Sequence, residues 1–108
     1  RPASKIKQAT KLCVGFTIAA NELAAPGHRK VYLCIYGPDG YLLGSSSFSH
    51  NGKSKGCSAS RDVDYQNEDL GVNIFYNGTG GKDFEEGSYK IELYMDGALL
   101  NRATIAMK

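Results

Sequence analysis

Apolar and polar residues alternate with a period of two along most of this chain. Leu12, Val14, Phe16 and Ile18 alternate with Lys11, Cys13, Gly15 and Thr17, and Val31, Leu33 and Ile35 alternate with Tyr32, Cys34 and Tyr36. This is the pattern of strands that put one face on a core and the other toward solvent. Further strands are predicted over Arg61 to Gln66, with Val63 and Tyr65 in phase, and over Leu70 to Tyr76, with Val72, Ile74 and Tyr76 in phase. Tyr89, Ile91, Leu93 and Met95 give the clearest strand, and a last one runs from Leu99 to Met107. Tyr41 to Gly44 reads as a short return strand that resumes near Phe48. The segment Ser49 to Ser60 is polar and contains glycine, and is expected to be an exposed loop or ragged edge. Turn residues separate the runs: Asn21 to Gly27 with Pro26, Gly37-Pro38-Asp39-Gly40, the glycine-rich Asn77 to Lys82, and Asp96-Gly97. No stretch has helical periodicity.

The final hairpin can be placed in register from charge alone. A plain two-residue loop at Asp96-Gly97 would set Ile91 opposite Arg102 and Tyr89 opposite Thr104. One extra residue instead sets Ile91 opposite Ala103 and Tyr89 opposite Ile105 on the buried face. It also sets Glu92 opposite Arg102 on the exposed face. The second register forces no charge inward, so the sequence predicts a three-residue loop or a bulge near Asn101.

Seven or eight short strands at this spacing indicate a sandwich or a barrel. Glu86-Gly87-Ser88-Tyr89 leads into the penultimate strand, and the tyrosine stands two residues before the inward Ile91. This placement resembles the tyrosine corner of immunoglobulin-type folds. Ile91 would stand where those folds carry their second cysteine, and Leu33 would fill the place of their tryptophan. The reading is therefore an all-β, immunoglobulin-like antiparallel β-sandwich of seven or eight strands, with residues 1–108 as a single domain. A narrower resemblance rests on Lys30-Val31-Tyr32, Gly37-Pro38-Asp39-Gly40, Arg61-Asp62-Val63-Asp64-Tyr65 and Gly87-Ser88-Tyr89-Lys90-Ile91-Glu92 through Asp96-Gly97. These segments are similar to the C-terminal domains of uncharacterised bacterial proteins in which a membrane-anchored or exported coiled coil precedes a β-sandwich. The resemblance implies architecture and a cell-envelope setting, periplasmic or surface, and no chemistry. The chain begins at Arg1 with no initiator methionine, and it is expected to be a domain trimmed from a longer chain.

Composition narrows the function. A formal net charge of +2, with scattered lysines and arginines, gives no electrostatic footprint for nucleic acid. No apolar run is long enough to cross a bilayer as a helix, so no direct membrane insertion by this domain is expected. Cys13, Cys34 and Cys57 cannot all pair within one chain and lack the spacing of a zinc site. We read them as free thiols, which also fits a reducing, cytoplasmic compartment.

Four motifs suggest chemistry, and each has a plainer explanation. Ser54-Lys55-Gly56-Cys57 resembles the cysteine motif of L,D-transpeptidases, but Lys55 replaces the histidine that would activate the thiol, and His50 is the nearest substitute. Gly78 to Lys82 resembles a phosphate loop, without its first glycine or a following helix. Asp62, Asp64, Glu68 and Asp69 could attract calcium, yet acids on an edge strand also discourage strand pairing between molecules. Asn77-Gly78-Thr79 matches the N-glycosylation acceptor, which the bacterial resemblance leaves unused. No cofactor and no metal site is expected.

The remaining candidate is a surface. If Val31, Leu33, Ile35, Ile91 and Leu93 point inward, then Tyr32, Tyr36 and Tyr94 share the outward face of neighbouring strands. Three tyrosines there could stack on a sugar or anchor a protein. The sequence therefore points to a non-enzymatic protein-interaction or spacer domain. A carbohydrate-binding module using the tyrosine face, and a cysteine enzyme at Cys57, stand as alternatives.

Overall fold

The computed structural model describes residues 11–20, 25–77 and 86–107. These form eight strands: β1 (Lys11–Ile18), β2 (Gly27–Tyr36), β3 (Ser46–His50), β4 (Lys53–Cys57), β5 (Ala59–Tyr65), β6 (Leu70–Asn77), β7 (Gly87–Met95) and β8 (Ala98–Met107). Every pairing between them is antiparallel. They make a two-stranded sheet β1-β6, a four-stranded sheet in the order β5-β2-β7-β8, and a separate hairpin β3-β4.

Registers follow the apolar phase. Leu12 faces Tyr76, Val14 faces Ile74 and Phe16 faces Val72 across β1 and β6. Leu33 faces Leu93 and Ile35 faces Ile91 across β2 and β7. The main core forms where these faces meet, with Leu12, Ile74 and Tyr76 packed in one cluster with Leu33, Ile35 and Tyr89. Each fully buried aliphatic side chain there contributes about 1.5–3 kcal/mol.

The β7-β8 hairpin carries the bulge that its charges require. Asp96 (φ 52°) and Gly97 (φ 74°) both take the left-handed conformation that a tight hairpin turn demands, and Met95 pairs with Ala98 across it. The register then shifts between Leu93, opposite Asn101, and Tyr94, opposite Leu99, so Leu100 is the extra residue. Beyond the shift, Ile91 faces Ala103, Tyr89 faces Ile105 and Glu92 faces Arg102. Burial differs from expectation on both faces. Glu92 is buried rather than exposed, and Ile105 is 40% exposed rather than covered.

Two sequence expectations are corrected. Tyr41 to Gly44 forms no strand; an isolated bridge joins Tyr36 to Leu42. Ser49 to Ser60 is not an exposed loop. It holds the end of β3, all of β4 and the start of β5. Asn51 (φ 52°) and Gly52 (φ 81°) supply the two left-handed residues of its hairpin turn. Ser58 then anchors the chain to β2: its N–H donates to the Leu33 carbonyl at 2.7 Å, and its hydroxyl accepts from the Ile35 N–H at 2.9 Å.

Candidate functional site

Tyr32, Tyr36 and Tyr94 do share one face of the four-stranded sheet, since Tyr32 lies opposite Tyr94 and Tyr36 opposite Lys90. That face is not open. A second apolar cluster forms on it from Cys34, Phe48, Cys57 and Tyr94, with Tyr32, Tyr36 and Leu42 packed against it. Phe48 of β3 stacks on Tyr32, with ring centroids 4.1 Å apart and planes 10° from parallel. His50 meets Tyr94 edge-on at 5.0 Å. The β3-β4 hairpin therefore roofs the tyrosines, and Tyr94 retains only 7% exposure. Close approach is built into the backbone, because a side chain at Gly56 would place its Cβ 2.6 Å from Leu42 Cδ2.

Cations border this cluster. The ammonium groups of Lys55, Lys90 and Lys30 lie 5.1, 5.7 and 6.0 Å from the ring centroids of Tyr94, Tyr36 and Tyr32. Glu92 sits among them. It accepts from the Tyr94 hydroxyl at 2.9 Å and from Arg102 Nε at 3.2 Å, with Lys90 Nζ at 3.7 Å. The buried carboxylate is thus satisfied. Burial works against the Lys55 charge, but Tyr36 and Tyr94 hold its ammonium above the usual lysine value.

The thiols lie under the same roof. Cys34 has no exposure, and its Sγ–H donates to the Gly56 carbonyl at 3.3 Å. Burial pushes its thiol up to about 11. Burial also raises Cys57, at 2% exposure, and raises Tyr94, where the Glu92 hydrogen bond adds to the effect. Cys13 is exposed. A raised folded-state value keeps the proton on the native thiol while the unfolded thiol begins to ionise. Stability from Cys34 is therefore complete below the unfolded thiol value and is lost as pH climbs from there toward about 11. Urea melts at pH 7, 9 and 10.5 should show falling stability above pH 9, with a shallower fall for Cys34→Val.

At Cys57 burial raises the thiol, with the Lys30 charge acting more weakly in the opposite sense. Cys57 is buried, and it pairs with Ser46 at one end of the hairpin while His50 pairs with Lys53 at the other. Asp62 faces Lys30 and Asp64 faces His28 across β5 and β2, and Asp69 accepts from the Ala20 N–H at 2.8 Å. Among the described residues no three His, Cys, Asp or Glu are grouped to hold a metal ion. No helix among the described residues is long and apolar enough to cross a membrane. Gly78 to Lys82 and the last two residues of the glycosylation motif lie outside the described residues.

The open apolar surface lies elsewhere. β1 and β8 each end their sheet, and among the described residues no strand pairs with their outer edges. Three hollows of about 360, 110 and 150 Å³ run between them. The first two share Phe16 and Asn101, and the second and third share Val14, Gly15 and Ile105, so they form one groove. Ile105 and Leu100, about 40% exposed, lie along it with Ala103. The sequence concealed this surface, because the end of β8 alternates like any half-buried strand, and only the lack of a covering strand among the described residues distinguishes it.

A family model described as a Domain of unknown function (DUF8428) matches residues 1–108. No curated protein and no solved structure matches the chain.

Proposed function

The chain belongs to the family described as a Domain of unknown function (DUF8428), and from that premise we propose a non-enzymatic protein-interaction domain of immunoglobulin-like β-sandwich architecture. The architecture is supported by the order β5-β2-β7-β8, by the pairing of β1 with β6, and by the core that the two sheets share. Burial of Tyr89 near the start of β7 agrees with a tyrosine corner. We propose a cell-envelope setting from the resemblance of the Gly37-Pro38-Asp39-Gly40 and Gly87-Ser88-Tyr89 segments to membrane-anchored or exported bacterial coiled-coil proteins.

The observation that carries the interaction reading is the uncovered stripe of β8. Leu100 and Ile105 are large apolar residues left about 40% exposed beside a groove. Apolar surface gathered beside a groove supports a contact there. The carbohydrate reading needs open ring faces, and Phe48 occupies that of Tyr32. A spacer without partners would have no use for the groove.

The test compares the wild-type domain with Ile105→Lys as affinity baits, both shown to be folded by thermal melts. The expected result is a protein retained by the wild type and lost by Ile105→Lys. Equal retention by both removes β8 from the contact. Binding on a glycan array that disappears in Tyr32→Ala overturns the protein reading in favour of sugar.

A further inference from the structure

We propose that Cys34 and Cys57 form an oxidation site: a small disulfide oxidant such as oxidised glutathione joins them in an internal disulfide that fastens the β3-β4 hairpin over the tyrosine face.

The backbone brings the two cysteines together from both sides. The residues flanking Cys34 hold Ser58, the residue after Cys57. The Leu33 carbonyl accepts from the Ser58 N–H at 2.7 Å, and the Ile35 N–H donates to the Ser58 hydroxyl at 2.9 Å. Before Cys57, the Gly56 carbonyl accepts from Cys34 Sγ itself at 3.3 Å. That carbonyl belongs to the peptide joining Gly56 to Cys57, and a planar trans peptide keeps its oxygen about 3 Å from the following Cα. Cys34 Sγ therefore lies within about 6 Å of Cys57 Cα. Both side chains enter the same small cluster, with Phe48 and Tyr94. Disulfides bridge Cα atoms about 4.4–6.8 Å apart, so the pair is within reach of a bridge that side-chain rotations would complete. Cys13 is exposed on β1, in the other main sheet, and takes no part.

The link would act where the roof is weakest. Among the described residues β3 and β4 form ladders only with each other, so the hairpin rests on the Phe48 ring, on Ser58 and on the weak donor of Cys34. A covalent bond through Cys57 replaces that weak contact. Burial keeps the closed Cys34 thiol protonated, with Lys55 acting in the opposite sense, and exchange needs a thiolate, so the reaction proceeds when the hairpin opens. One thiol then loses its proton, attacks oxidised glutathione and expels one glutathione thiolate. The other, deprotonated in turn, attacks the protein sulfur of the mixed disulfide and expels the second. The protein gives up two electrons and two protons, and oxidised glutathione becomes two molecules of reduced glutathione.

The test incubates the native Cys13→Ser domain, which keeps the buried pair alone, with oxidised glutathione and maps the products by peptide mass spectrometry. The expected product is a monomer with Cys34 linked to Cys57. Against the reduced protein its melting temperature should rise by at least about 5 °C. Amide exchange in β3 and β4 should slow by about tenfold or more, and dithiothreitol should reverse both changes. Cys57→Ser in the same background should stop at a glutathione adduct on Cys34 with no rise in melting temperature. Glutathione adducts or links between molecules in place of the internal bridge overturn the proposal. So does a bridge that forms only in denaturant or that lowers the melting temperature. Absence of any bridge after the time in which iodoacetamide alkylates both thiols overturns it equally.

Discussion

Phe48→Ala is expected to destabilise the domain by about 3–5 kcal/mol, the usual cost of removing a buried aromatic ring. Phe48 is the main apolar residue that the β3-β4 hairpin brings to the sheet. It stacks on Tyr32 and lies 5.7 Å from Tyr94, centroid to centroid. β3 otherwise offers Ser46, Ser47, Ser49 and His50, and β4 offers Lys53, Ser54 and Lys55 before Gly56 and Cys57. Without the phenyl ring the roof loses its hold while the main core stays assembled. The variant should therefore show a local opening as well as a lower melting temperature. Cys34 and Cys57 should react with a thiol reagent faster than the global stability of the variant allows.

Leu33→Ala should cost about 2–5 kcal/mol by a different route. Leu33 has no exposure and pairs with Leu93 on the inner face of the four-stranded sheet. Its loss leaves a cavity between the two main sheets, on the opposite face of the four-stranded sheet from the hairpin roof. At about 4–8 °C per kcal/mol for a domain of this size, the melting temperature should drop by at least about 8 °C. Here the thiols should become reactive only in step with global unfolding. The two variants together separate the roof from the core: similar thermal cost, different exposure of the same cysteines.

Alternation made most of the fold legible. β1, β6 and β7 place apolar residues at every second position, β2, β5 and β8 do so over part of their length, and the bulge at Leu100 followed from the need to keep Arg102 out of the core. The shared face of Tyr32, Tyr36 and Tyr94 was legible for the same reason. The cover on that face was not. β3 and β4 are mostly serine and lysine, with Phe48 as the only large apolar residue, and a strand that buries one ring has no period to detect. The Asn51-Gly52 turn was the available signal, since that pair strongly favours the two left-handed positions of a tight hairpin. The groove was hidden for a further reason. Ile105 and Ala103 obey the inward phase of β8, and their exposure depends on which strands pack above them, a tertiary fact that no local pattern contains.

The same geometry reassigns the sequence candidates. The tyrosines pack into a second small core with Phe48, Cys34 and Cys57, and Glu92 lies buried beside it, hydrogen-bonded to Tyr94. Among the described residues, Leu100 and Ile105 leave apolar surface exposed on the β1-β8 side. The tyrosine face is closed by the β3-β4 hairpin, and the reactivity of the three cysteines in the native wild-type protein tests this most directly. Time-resolved alkylation at neutral pH, read by peptide mass spectrometry, should modify Cys13 first, with Cys34 and Cys57 lagging by about tenfold or more because both require the hairpin to open. Modification of Cys34 or Cys57 as fast as Cys13 would contradict the account and return the tyrosines to solvent.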